Sequence, residues 1–217
     1  MAGRSSRPVR GFTVDRLNGF TDGVLAIVIT LLVLGIDIPE DHKFSEQGLI
    51  SFLSRISRDV IMYAASFLLI GAYWVQHHAV FHFLRYCDRA LVWLNILFLF
   101  PLTLIPFLTK VKVVYRNDPI VVPLFGGAFI LSSFLLLFIW RYATSHAENI
   151  GRPGIDPSVV RSINQRIMIG PLVSLVAVGL SFLNIDLGAI AFCTMPLFYL
   201  SHRLADSESE KQVKSST

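Results

Sequence analysis

Between Arg16 and Ile36 the chain reads RLNGFTDGVLAIVITLLVLGI, an apolar run that carries an arginine and an aspartate near its start. A helix crossing the ~30 Å hydrocarbon core of a bilayer needs ~20 mostly apolar residues. A charge at the centre of such a helix costs ~2.5–3.5 kcal/mol even on a lenient insertion scale. The run therefore calls for a membrane, and for Asp22 it calls for a partner or water in place of lipid.

The rest of the chain repeats the first demand. Of its 217 residues 53% are hydrophobic and 16% charged, and the mean hydropathy is +0.61. A soluble domain of this size keeps a more charged surface. Apolar runs predict six spans, at residues 17–38, 60–84, 90–109, 120–142, 167–183 and 187–200. The fold class expected is an all-α membrane protein with six transmembrane helices. Residues 16–203 form one transmembrane domain between a basic segment, 1–15, and a polar tail, 204–217, expected to be disordered. Segment 1–15 has no short apolar stretch ending in a small-residue cleavage site, so the first helix is expected to be retained. FSEQGLISFLSRISR, before the second span, is too polar to cross; Leu49, Ile50, Leu53 and Ile56 recur at helical spacing and predict a short interfacial helix. Only NID separates the last two spans, which predicts a tight hairpin. Pro101, Pro106, Pro171 and Pro196 lie inside spans and predict kinks.

Orientation follows from the basic residues. The N-terminal segment, the loops after the second and fourth spans and the tail hold 13 of the 19 lysines and arginines, and the opposite side holds 6. That asymmetry puts both termini in the cytoplasm. It also accounts for the high pI without nucleic acid as a partner. The two cysteines, Cys87 and Cys193, have no metal-like spacing.

On a wheel of 100° per residue centred on Ile27, Arg16 and Leu34 fall at about −20°, Phe20 at about +20°, Leu31 at about +40° and Thr30 at about −60°. Asp22 lies about 140° away, with Thr21 beside it. One face is thus aliphatic with a threonine at its edge, while another carries the carboxylate. Partners for it stand in the second and third spans, where AYWVQHHAVFH places Trp74, His77, His78 and His82, and LVWLNILFLF places Asn95. Imidazole and amide groups donate hydrogen bonds to a carboxylate. A packing network of Asp22, His77 and Asn95 is the favoured reading, and direct work in ion or proton movement the other. His78 and His82 have the i,i+4 spacing of helix-borne zinc ligands, but no carboxylate or cysteine completes a motif, so no metal site is expected. Nucleophile elbow, zinc-protease motif and phosphate loop are all lacking, which speaks against an enzyme. A Thr-Val-Gly-Tyr-Gly carbonyl filter is lacking too.

At Arg16, Phe20, Thr21 and Asp22 the chain resembles the transmembrane protein 175 family of potassium channels, whose hallmark is Arg-x-x-x-Phe-Ser-Asp at the start of the first helix. Thr21 replaces the family serine and keeps its hydroxyl. The resemblance extends to Trp74-x-x-His77, to Leu94-Asn95 and to the six-helix layout. It implies a homotetramer of single six-helix chains in the cell membrane, with K+ as the permeant ion and no cofactor. It further implies a pore lined by the first helix, with Ile27 as the aliphatic constriction, Leu31 and Leu34 as further layers and Thr30 as a hydroxyl ring. Arg16, Phe20, Thr21, Asp22, Trp74, His77 and Asn95 would form the network that holds this helix. A proton-permeable channel of the same fold, or a proton-coupled secondary transporter using Asp22 and His77, are the alternatives. The transporter is disfavoured by the lack of internal repeats and paired broken helices.

Overall fold

A computed structural model describes residues 13–36, 48–115, 118–146, 150–151, 156–184, 187–188 and 190–191. They form α1 (Val14–Leu31), α2 (Gly48–Phe81), α3 (Arg89–Thr103), α4 (Ile105–Val114), α5 (Val121–Ser145) and α6 (Pro157–Leu183). Three helices start where a side-chain oxygen accepts an otherwise unpaired backbone N–H. Thr13 caps α1 by accepting from Arg16, Asp88 caps α3 by accepting from Leu91, and Asp156 caps α6 by accepting from Ser158.

Among the described residues five stretches are long and apolar enough to cross a membrane: Val14–Gly35, Asp59–Phe81, Arg89–Val114, Val121–Ser145 and Pro157–Leu183. They overlap the first five expected spans. Most of the sixth, 187–200, lies outside the described residues, as do Pro196, Cys193 and the expected N-terminal and C-terminal segments up to residue 12 and from 192 onward. Leu187, Gly188, Ile190 and Ala191 are helical. A Cβ at Gly188 would stand 2.7 Å from both the Ala177 carbonyl oxygen and Ser181 Cβ, so the chain returns onto α6 with room for glycine alone.

Several expected boundaries are corrected. The segment before the second span is no separate interfacial helix: α2 is continuous for 34 residues. No proline or glycine stands between Leu49 and Val60 to break it. The third span divides at Leu104 into α3 and α4, with Pro101 in the last turn of one and Pro106 in the first turn of the other. Each proline lacks the N–H that a continuous helix would bond, so the kink expected there is a break. The fifth span begins ten residues early, at Pro157, where Asp156 and the proline make a good helix start. Finally, α1 tightens after Leu31 into a 3-10 turn, Leu32–Gly35.

The core lies around α5, which packs against α3, α4 and α6 and buries Phe125, Phe129, Leu136, Ile139 and Trp140. More than half of its spanning window is enclosed, against 28% for α1. In lipid, apolar burial does not drive helices together, so packing and interhelical hydrogen bonds must. Helix α2 supplies such bonds to four neighbours. Ser66 pairs with Thr109 of α4 at 3.1 Å, and Tyr73 with Ser133 of α5 at 2.6 Å. Trp74 bonds α1 and His77 bonds α3.

Candidate functional site: the outward face of α1

Helix α1 turns Leu17, Thr21, Leu25 and Val28 into the bundle, and Leu32 continues that buried row. The other side is open. Ile27 is 61% exposed, Leu31 44% and Leu34 69%, with Phe20 also outward. Gly19, Gly23, Ala26 and Thr30 are exposed on the same side. Ile27, Leu31 and Leu34 therefore share one exposed face, unpartnered among the described residues. The 3-10 turn changes their register: three residues make a full turn there, so Leu34 stands over Leu31 more directly than the α-helical wheel had it. The Thr30 hydroxyl donates to the Ile27 carbonyl at 2.8 Å, which leaves the lone pairs of its oxygen uncommitted by that bond.

The polar residues of the motif divide into two contacts. Thr21 is fully buried, as is Asn95. The Asn95 amide donates to the Thr21 hydroxyl at 2.8 Å, while its carbonyl lies 2.8 Å from His77 Nε2. His77 stacks on Phe81 at 3.9 Å and on Phe98 at 5.4 Å between ring centres. This chain ties α1 to α3 and α3 to α2. Asp22 stands apart from it. Its carboxylate accepts from the Trp74 indole at 2.7 Å, and Trp74 in turn stacks with His78. The expected triad of Asp22, His77 and Asn95 is thus corrected: the hydroxyl of Thr21 joins the histidine–asparagine pair, and the tryptophan takes the carboxylate. A wheel gives a residue's direction but not the height of the partner it meets, so it does not choose between Trp74 and His77 as the donor. Phe20 projects outward, away from these contacts, and Arg16 is exposed in the first turn.

Residues outside the motif anchor the same end of the bundle. The α2–α3 loop offers the N–H groups of Arg85 and Tyr86 to the Ile150 carbonyl. Tyr142 of α5 donates to Asp88, the α3 cap, at 2.5 Å. Cys87 is buried beside it, and burial together with the Asp88 carboxylate pushes its thiol up to about 11. Ser66, Tyr73 and His77 fall on one stripe of α2 by their seven- and four-residue spacing, a signal that would have pointed to Ser66 and Tyr73. Among the described residues no group of three His, Cys, Asp or Glu side chains is placed to hold a metal ion.

Residues 16–106 match the family model described as endosomal/lysosomal potassium channel TMEM175. A potassium channel of Chamaesiphon minutus is 32% identical over 192 residues, covering 87% of this chain and 93% of that one. The crystal structure described as a lysosomal potassium-selective channel TMEM175 homolog from the same organism superposes with a TM-score of 0.74 at 28% identity, over 87% of this chain and 97% of the other. The endosomal/lysosomal proton channel TMEM175 of Rattus norvegicus is 24% identical over 86% of this chain, which spans 38% of that longer protein.

Proposed function

As the chain belongs to the TMEM175 family, a family of ion channels and not of enzymes, we propose that it conducts K+ through a pore lined by α1. The observation that carries this reading is the open face of that helix. Lipid alone is a poor match for it, because the exposed side holds Gly19, Gly23 and Thr30, and Asp22 stands at its edge. Small residues favour close helix approach. Four copies around an axis would turn the Ile27, Leu31 and Leu34 side chains toward one another as a homotetramer in the cell membrane. The basic residues orient both termini toward the cytoplasm.

Rings of aliphatic side chains narrow a pore until water leaves it, which gates by dewetting. An ion passing Ile27 sheds part of its hydration, and K+ gives up water more readily than Na+. The Thr30 oxygens, with lone pairs facing away from their bond to Ile27, return part of that loss. The Thr21–Asn95–His77 chain and the Asp22–Trp74 pair hold α1 at the angle this requires, and the channel needs no cofactor. Reconstitution into liposomes tests the reading. K+ flux well above Na+ flux supports it, and equal fluxes or none oppose it. A mass in detergent equal to four chains tests the assembly.

A proton-permeable pore in the same fold is the second reading, favoured by the name of the mammalian relative. Reversal potentials separate the two: they follow the K+ gradient for the first and the pH gradient for the second.

A further inference from the structure

Neither the α1 face nor the motif uses the polar groups at the start of α1. Where the first turns of α1 meet the end of α2, a cleft of about 460 Å³ opens. The α1 side brings Thr13, Asp15 and Asn18, and the α2 side brings His78, His82 and Arg85. The two walls differ in chemistry. Asp15 and Asn18, three residues apart on one helix face, offer acceptor oxygens. The Asn18 carboxamide oxygen is buried and, among the described residues, has no hydrogen-bond partner. A buried acceptor left unfilled costs ~1–3 kcal/mol, so a donor belongs there. The opposite wall offers a guanidinium and two imidazoles. Arg85 lies over the Tyr86 ring at 5.7 Å, and among the described residues it forms no ion pair with Asp15.

A simple anion suits Arg85 but meets the Asp15 carboxylate. A simple cation suits Asp15 but meets Arg85. A metal ion lacks a three-ligand group among the described residues. One molecule carrying both charges satisfies both walls. Depth narrows the choice, because two membrane spans end here, Val14–Gly35 at its start and Asp59–Phe81 at its finish. Val14, Phe81 and Leu84 add apolar surface to the polar lining. A headgroup at the membrane face would meet charged groups and apolar surface together.

We propose that this cleft binds a primary-ammonium phosphate zwitterion, the headgroup chemistry of an ethanolamine phospholipid. The ammonium lies against Asp15 and the Asn18 oxygen, and the phosphate against Arg85 and His82. The bound headgroup bridges the start of α1 to the end of α2. This assignment stands on the cleft alone and holds whether or not α1 lines a pore.

Purified full-length protein in neutral detergent is titrated with lysophosphatidylethanolamine, lysophosphatidylcholine, lysophosphatidylglycerol and free phosphoethanolamine, with the melting midpoint as readout. The ethanolamine lipid is expected to raise the midpoint saturably. The choline lipid has no N–H to give Asn18 and the glycerol lipid has no ammonium, so both give smaller shifts. Asp15→Asn and Arg85→Gln each weaken half-saturation roughly tenfold, the loss of one charge-assisted contact. Arg161→Gln, on the exposed side of α6, leaves it unchanged. Each variant is compared with its own lipid-free midpoint, so a general loss of stability does not mimic the effect. A shift with free phosphoethanolamine as well supports the same chemistry with a soluble source; none assigns the site to the bilayer lipid. Equal shifts from all three lipids, or wild-type half-saturation in both variants, overturn the proposal.

Discussion

Trp74 of α2 gives its indole N–H to the carboxylate of Asp22 on α1, 2.7 Å away. An intramembrane carboxylate is costly unless it is bonded or wetted, and this bond answers part of that cost from a neighbouring helix. Asp22 thereby becomes a fixed point for α1 at the edge of its open face. The helix that turns Ile27, Leu31 and Leu34 outward is held from behind by tryptophan, asparagine and histidine.

Trp74→Phe keeps the ring and removes the donor. Interhelical hydrogen bonds in membranes contribute about 0.6 kcal/mol on average and up to ~1.7, and this one engages a formal charge. A loss near the upper figure is expected in thermal unfolding of the detergent-solubilised protein. Asp22→Asn in the Trp74→Phe background should recover part of it, because the neutral amide costs less to leave unpaired. No recovery would mean that the bond is not what Asp22 needs.

Asn95→Leu cuts the buried chain at its middle and leaves the Thr21 hydroxyl and one His77 nitrogen without the partner each now has. The expected loss is about 1–3 kcal/mol. Thr21→Ser keeps the hydroxyl and should be nearly neutral, whereas Thr21→Val should cost a share of the Asn95→Leu effect. In the double variant Thr21→Val, Asn95→Leu the losses should add to less than their sum. Strict additivity would show that the two residues act independently.

Much of this was legible in the chain, and the rest was hidden for definite reasons. Apolar runs marked the first five spans, since lipid imposes a length on each. The aliphatic stripe of Ile27, Leu31 and Leu34 was readable from helical period, as was the need of Asp22 for a partner. Which donor reached it was not readable, because Trp74 and His77 both sit on α2 and only the packing of two helices decides which stands level with Asp22. The continuity of α2 is hard to read because Arg55 and Arg58 make its start unlike a span, yet nothing there breaks a helix. The 3-10 turn after Leu31 had no glycine or proline before it to announce it. The caps Asp88 and Asp156 carried a recognisable signal, an aspartate just ahead of a helical run.

The thiol of Cys87 should be slow to react. It is 1% exposed, and burial with the neighbouring Asp88 holds its pKa up at about 11 against the usual 9.0. In a Cys193→Ser background, maleimide labelling of the folded protein at neutral pH should lag far behind that of the denatured chain. The sign for stability follows the same shift. The unfolded thiol ionises first, so the contribution of this group is full below pH 9.0 and declines as pH rises through about 11. Labelling at equal rates in both states would contradict the burial.

Asp156 carries the opposite sign. Its bond from the Ser158 N–H lowers the carboxyl pKa below its usual value. Its contribution to the start of α6 is present above the unfolded value of 3.8 and is lost as pH falls through the folded one. Asp156→Asn keeps the capping geometry but does not titrate, so the acid limb of the melting curve should flatten in that variant. An unchanged limb would place the acid sensitivity on other carboxylates.

The central claim is that Ile27 sits at the constriction of a K+ pore, and paired K+ and Na+ flux in liposomes, wild type beside Ile27→Asn, tests it most directly. Placing a polar amide in an aliphatic ring should wet it, raising K+ flux and narrowing the difference between K+ and Na+. Unchanged flux with unchanged selectivity would contradict the claim and remove Ile27 from the ion path.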